Sequence, residues 1–330
     1  MRRIWLRSLA ATSALALASA ATRPHYGGTL RVEIRERFES PDPPDSGPGM
    51  ADLKGAFAIS EWQGGRRAVY TAVEDAPGGR PFVDSIDIQL GRALRDRTVD
   101  LDLGRTDLTN FGPTESRRVG AGRKLWSSAP VRLIALVFSP RVEDARVREA
   151  LALAVDRTAI YNVLLQRQGE VSGALLPQWL SGYAFLFPAT ADVARARTLA
   201  PGRTLTLASE DRAIADRIAL NARDVGLTVT VVPANTAADV RLAETRIVFS
   251  DPAHALAVIA AALGLPEPPR AETPEALYAA ERTLLDGFRV IPLFHIPDVY
   301  GAGPRVKGGQ GITPLGEWRF ENLWIESGRP

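Results

Sequence analysis

The chain has no cysteine and only three histidines among its 330 residues. The missing thiols exclude disulfides, cysteine nucleophiles and cysteine-ligated metals, and leave no residue for a bacterial lipoprotein anchor. His25, His254 and His295 stand far apart, with none of the i,i+3 or i,i+4 spacings that build a metal site on one helix face. No metal and no other cofactor is expected. Basic runs are equally scarce. With Arg2, Arg3 and Arg7 of the N-terminal segment set aside, 37 basic residues face 38 acidic ones, so nothing tracks a phosphate backbone and nucleic acid is not an expected partner. The Gly-x-Ser-x-Gly elbow, the His-Glu-x-x-His helix, the Walker loop and the dinucleotide fingerprint are all missing, and an enzyme is not expected.

The N-terminal apolar run is short. Ser8–Ala20 follows Arg2, Arg3 and Arg7 and closes on Ala18-Ser19-Ala20, the three parts of a secretory signal rather than a membrane span. Residues 1–20 are expected to be a signal peptide, and the mature protein periplasmic. The Arg2-Arg3 pair leaves the general and twin-arginine export routes both open.

Beyond it, Thr29–Ile34 alternates as a strand, and Ser40–Gly49 is too rich in Pro and Gly for helix or central strand. Phe57–Trp62, Arg67–Thr71 and Ser85–Gln89 read as further strands. Asp144 is placed to cap a helix with Val147, Ala150, Leu151 and Ala154 on one face, and Asp156 to cap a second through Ile160 and Leu164. Thr204–Leu207, a helix over 211–225, Gly226 and Leu227–Val232 form a βαβ unit, which implies a parallel sheet flanked by helices. Arg246–Phe249 reads as a strand leading through Ser250-Asp251-Pro252 into an Ala-rich helix. Thr273-Pro274 starts another helix that Gly287 ends, and Val290–Phe294 returns as a strand.

Three segments carry a family pattern. Asp144–Ile160, Gly27–Val32 behind the export segment, and the closing series Tyr278, Glu281, Leu285, Ile291-Pro292-Leu293, Tyr300 and Pro304–Gly308 together resemble the family 5 solute-binding proteins, the peptide- and nickel-binding receptors of ABC importers. The resemblance implies an α/β, two-lobed periplasmic-binding-protein-like (type II) fold with mixed sheets and a cleft between lobes. Lobe one would hold 21–138 plus 291–330 and lobe two 139–290, joined by crossings near 139 and 290. The family's accessory subdomain is replaced here by the Pro-rich stretch, which makes the chain a shortened member. By the same resemblance the protein binds a small or peptide-like solute without chemistry, as a monomer, and delivers it to an ABC permease in the membrane. The segment that carries the family's acidic anchor for a peptide α-amino group has no counterpart, so a smaller ligand, or a sensor or partner module that has lost transport, stays open.

The candidate ligand-binding residues follow. Ser250 and Asp251 end a strand of the α/β lobe, where open sheets place ligands, although they equally form an N-cap. Phe138-Ser139 and Phe294-His295 match the family's two crossings beside the cleft, as pocket wall or as hinge packing. Arg35 and Glu36 end the first strand and meet either ligand charges or solvent. Asp156-Arg157 is read as a cap and its solvated or ion-paired neighbour rather than as chemistry.

Overall fold

The structure is a computed structural model that describes residues 23–37, 53, 55–112, 115, 116, 123–183 and 187–326. The expected signal peptide and the Pro/Gly-dense stretch 40–49 lie outside these residues. One mixed sheet runs through the described chain. In chain order its strands are β1 (Thr29–Glu33), β2 (Phe57–Gln63), β3 (Arg67–Ala72), β4 (Ser85–Gln89), β5 (Leu108–Phe111), β6 (Lys124–Phe138), β7 (Glu170–Val171), β8 (Thr204–Ser209), β9 (Thr228–Pro233), β10 (Val240–Arg246) and β11 (Val290–Ala302). Their spatial order is β2-β3-β4-β1-β5-β11-β6-β10-β8-β9, with β7 added on β11. The pairs β1/β4, β1/β5, β10/β8 and β8/β9 are parallel, the others antiparallel.

Two long antiparallel strands, β6 and β11, hold the halves together. At one end β11 pairs with β5 through Val299–Ala302, and Trp126 and Tyr300 join a core with Leu30, Ile86 and Trp318. At the other end β6 pairs with β10 through Arg132–Phe138. Its alternate residues there enter two cores on opposite faces, Ile134, Leu136 and Phe138 on one and Val131, Leu133 and Ala135 on the other. The change of partner coincides with register shifts at Ile296/Pro297 and Pro297/Val299, where Pro297 sits opposite Pro130. Proline has no N–H to give a ladder, so the shared sheet is weakest where the partners change. Residues 139 and 290 lie away from this point, at the far ends of the two strands.

Asp144 and Asp156 cap the helices that the sequence assigns to them. Asp144 accepts from Arg146 N ahead of α2 (Ala145–Ala154), and Asp156 from Ala159 N ahead of α3 (Arg157–Val163); these follow α1 (Leu94–Asp102). After the short α4 (Gln178–Ser181) and α5 (Val193–Leu199) come α6 (Arg212–Asp224), α7 (Pro252–Ala262) and α8 (Pro274–Leu285), capped by Asp211, Asp251 and Thr273. Each such cap stabilises its helix by about 1 kcal/mol. The βαβ unit β8-α6-β9 is parallel in the register Thr204↔Thr228, and Gly226 has φ +84°, which suits its place after the helix. The strand expected at Arg246–Phe249 is corrected to β10, which ends where that reading begins. Ile247 N bonds back to Val131 O at 2.7 Å, and its side chain, without exposed surface, packs under α7. The apolar run therefore marks a buried turn out of the sheet. No helix among the described residues is long and apolar enough to cross a membrane.

Candidate solute cleft

β10 has one partnered and one open edge. From Arg246 back to Val240 it pairs with β6, but on the other side β8 reaches only Val240 and Arg241 before it ends at Ser209. Beyond that point the β10 edge opens into a cavity of about 620 Å³. Its wall takes Leu242 and Glu244 from one face of the strand and Ala243 and Thr245 from the other, which is the signature of a strand seen edge-on. The β8–α6 turn, Ser209–Arg212, roofs the space, while Arg35 and Glu115 approach from the half built on β1 and β5. The space thus lies between the halves, with the shared sheet as its back wall.

Below it a chamber of about 130 Å³ is lined by Glu36 and Asn110 on one side and by Arg132, Glu244, Arg246 and Asp298 on the other. Charges there are mostly spent on one another. Arg132 Nε donates to Glu244 at 2.6 Å, and its Nη1 lies 3.6 Å from Asp298. Arg246 pairs with Asp298 at 2.5 Å and donates to Leu315 O at 2.7 Å. Asn110 donates to Glu36 and accepts from Arg97 Nη1 at 2.8 Å and from the Arg35 backbone at 3.1 Å. Burial by itself lowers the pKa of Arg132, but the carboxylates of Glu244, Asp298 and Glu36 outweigh it and the pKa is raised. Arg132 is therefore a fixed cation, and the two arginines are held in place before any ligand arrives.

The eight residues singled out in the sequence do not gather in one place. Arg35 and Glu36 lie at the space between the halves, in the upper cavity and the lower chamber respectively. Phe138 and Ser139 line a different cavity, of about 800 Å³, at the far end of β6. Asp251 caps α7 through His254 N at 2.8 Å and lines a fourth hollow of about 490 Å³ with Arg270 and Thr273; Ser250 beside it is exposed. Phe294 and His295 have no exposed surface. Phe294 packs in the α2–α6 core, and His295 Nε2 sits 2.9 Å from Leu175 O, with Nδ1 3.4 Å from Glu170. The pocket-wall reading of this pair gives way to packing, because β7 and the segment after it cover β11 there. His25 lies edge-on to Trp324 and His254 stacks on Phe249, so the three histidines stay apart. Arg157, expected to be solvated or ion-paired, is instead buried and held by backbone carbonyls: it donates to Pro292 O at 3.0 Å and Ala189 O at 3.1 Å, and burial pulls its pKa down to about 10.

Sequence reading missed Arg132, Arg241, Glu244, Arg246 and Asp298. Two of them left a signal. Arg132 stands alone in Val131–Phe138, and Asp298 alone in Val290–Ala302, each a single charge within an apolar strand. Burying a lone charge is costly unless it is partnered, which marks such positions for attention.

A family model described as "Bacterial extracellular solute-binding proteins, family 5 Middle" matches residues 14–246. The chain belongs to that family. Its solved relatives are binding proteins rather than enzymes, and they share its fold. The ABC transporter substrate-binding protein CtaP of Listeria monocytogenes superposes with a TM-score of 0.66 at 15% identity, over 83% of this chain and 67% of that one. A dipeptide-binding protein from Pseudoalteromonas sp. SM9913, in complex with Met-Leu, gives 0.68 at 14% identity over 82% and 64%. MoaA from A. tumefaciens R10, in complex with mannopinic acid, gives 0.68 at 18% identity over 84% and 68%. The chain spans about two thirds of the length of these structures. No curated protein matches it.

Proposed function

We propose that this family 5 member is the extracytoplasmic receptor of an ABC importer, taking a short peptide or peptide-like solute into the space between its halves and presenting the closed form to a membrane permease. The observation that carries the reading is the open edge of β10. Along Leu242–Arg246, the alternate residues whose backbone N–H and C=O groups point away from β6 have no strand partner among the described residues. The segment offers about 16 Å of edge at roughly 3.3 Å per residue, enough for an extended ligand of three or four residues. Main-chain bonds along such an edge give affinity with little demand on side-chain identity. The lobes in this reading divide at Pro130 and Pro297 rather than at 139 and 290. A solute touching β10 and Arg35 at once stabilises closure by its contacts on both sides. The relatives bound to Met-Leu and to mannopinic acid support a small solute bearing peptide-like polar groups. In the same reading residues 1–20 are removed on export, and the receptor is a free periplasmic monomer.

The test is native mass spectrometry of protein purified gently from its own periplasm, followed by titration of the refolded protein with a pool of di- to tetrapeptides. A retained peptide, or binding from the pool with a more compact scattering profile, is the expected result. A bare mass and no stabilisation by peptides or mannopinic acid overturns it in favour of a sensor or partner module that has lost transport.

A further inference from the structure

The space between the halves does not close at the end of β8. Ala234, Arg241 and Leu263 line both the 620 Å³ cavity and the 800 Å³ cavity beyond it, so the two meet at a neck. The outer chamber exists because α7 ends at Ala262. The next row of the sheet, Ala208–Arg241–Val137–Val290, faces the same side in register and is left as an open floor. Phe138, Leu263 and Leu265 complete apolar walls, and Ser139, Asn235 and Thr236 supply polar groups.

The charge of this chamber is one-sided. Arg241 and Arg289 line it and, among the described residues, no Asp or Glu does. The acid nearest in sequence to Arg241, Asp239, is spent on Thr206, accepting from its N–H at 2.9 Å and its hydroxyl at 2.8 Å. Arg289 donates to Val142 O at 3.2 Å, whereas the Arg241 guanidinium has no partner among the described residues. An exposed cation at a neck, with an apolar chamber behind it, matches an anion that carries an apolar tail.

We infer that the bound solute is an amphipathic anion whose carboxylate pairs with Arg241 at the neck and whose apolar end occupies the outer chamber. This rests on the cleft reading above and narrows it: a peptide ligand would bring its C-terminal carboxylate and an apolar last residue to this point. Dodecanoate, kept below its micelle concentration, is the probe, with dodecyltrimethylammonium as its cationic counterpart; binding is read by native mass spectrometry and calorimetry. One dodecanoate per chain and no dodecyltrimethylammonium is the expected result. Arg241→Ala and Ala237→Trp, which fills the outer chamber that Ala237 lines, are both at exposed positions and should each weaken dodecanoate by about tenfold or more. No binding of dodecanoate, equal binding of the cation, or full affinity in either variant overturns the inference. If dodecanoate fails while peptides still bind and compact the protein, the cleft reading stands and only the outer chamber is refuted.

Discussion

Arg132 shows how one residue can be both a strain on the fold and a fixture of the site. It is buried in the shared strand β6 and held by Glu244 and Asp298. Replacing it by Ala leaves Asp298 buried with Arg246 alone, and this is expected to cost about 3 kcal/mol. Glu244→Ala should cost less than half as much, since that carboxylate is largely in contact with water. Urea unfolding of the two variants checks the order. Glu281 poses a different case. It has no exposed surface, and it accepts from Leu176 N at 3.2 Å and also from Leu175 N and Tyr183 Oη. Burial raises its pKa despite these donors. Glu281→Ala strands two buried N–H groups and should lose about 2–4 kcal/mol, whereas Glu281→Gln keeps an acceptor for them and should lose about 1. Caps such as Asp144 and Asp251 were plain in the sequence because their partners lie two or three residues away. Arg132, Glu244 and Asp298 were not, because their pairing depends on which strands become neighbours.

At the scale of elements, β7 and the turn before it decide the fate of Phe294 and His295. Gly169 has φ +83°, and a Cβ there would fall 2.0 Å from His295 O. Gly169→Ala should therefore lift β7 off β11 and destabilise by at least about 2 kcal/mol, with proteolysis near residue 169 as the sensitive readout. Glu170 adds a pH dependence. Burial opposes its ionisation, but the nearby His295 ring, with Nδ1 at 3.4 Å, and the hydrogen bond from Gln178 N outweigh burial, so its folded pKa is below the usual value. Its contribution is complete above the unfolded pKa of about 4.3 and disappears as pH falls through the lower folded one. Glu170→Gln should thus be less stable than the parent at pH 7, and the gap should narrow in denaturation below about pH 4. The strand Val290–Phe294 was legible from its apolar residues; that it runs on to Ala302 was not, because Pro297, which has no N–H for a ladder, falls in the middle of the extension. The sheet accommodates it through register shifts.

For the whole molecule, the α/β class and family were carried by local patterns spread over the chain, and the fold agrees. The open edge of β10 was not legible, because it arises from a mismatch in length between strands far apart in sequence. Two strands, β6 and β11, run unbroken from one core into the other. Loss of either core strips the ladder from its neighbour, so scanning calorimetry should give one cooperative heat-absorption peak rather than two. Joined by short flexible tethers, two halves can be exchanged as modules, each surviving excision. Here the same strands are structural members of both, and neither half is a transplantable unit. Any rearrangement of the gene that swaps one half must carry matching lengths of both strands.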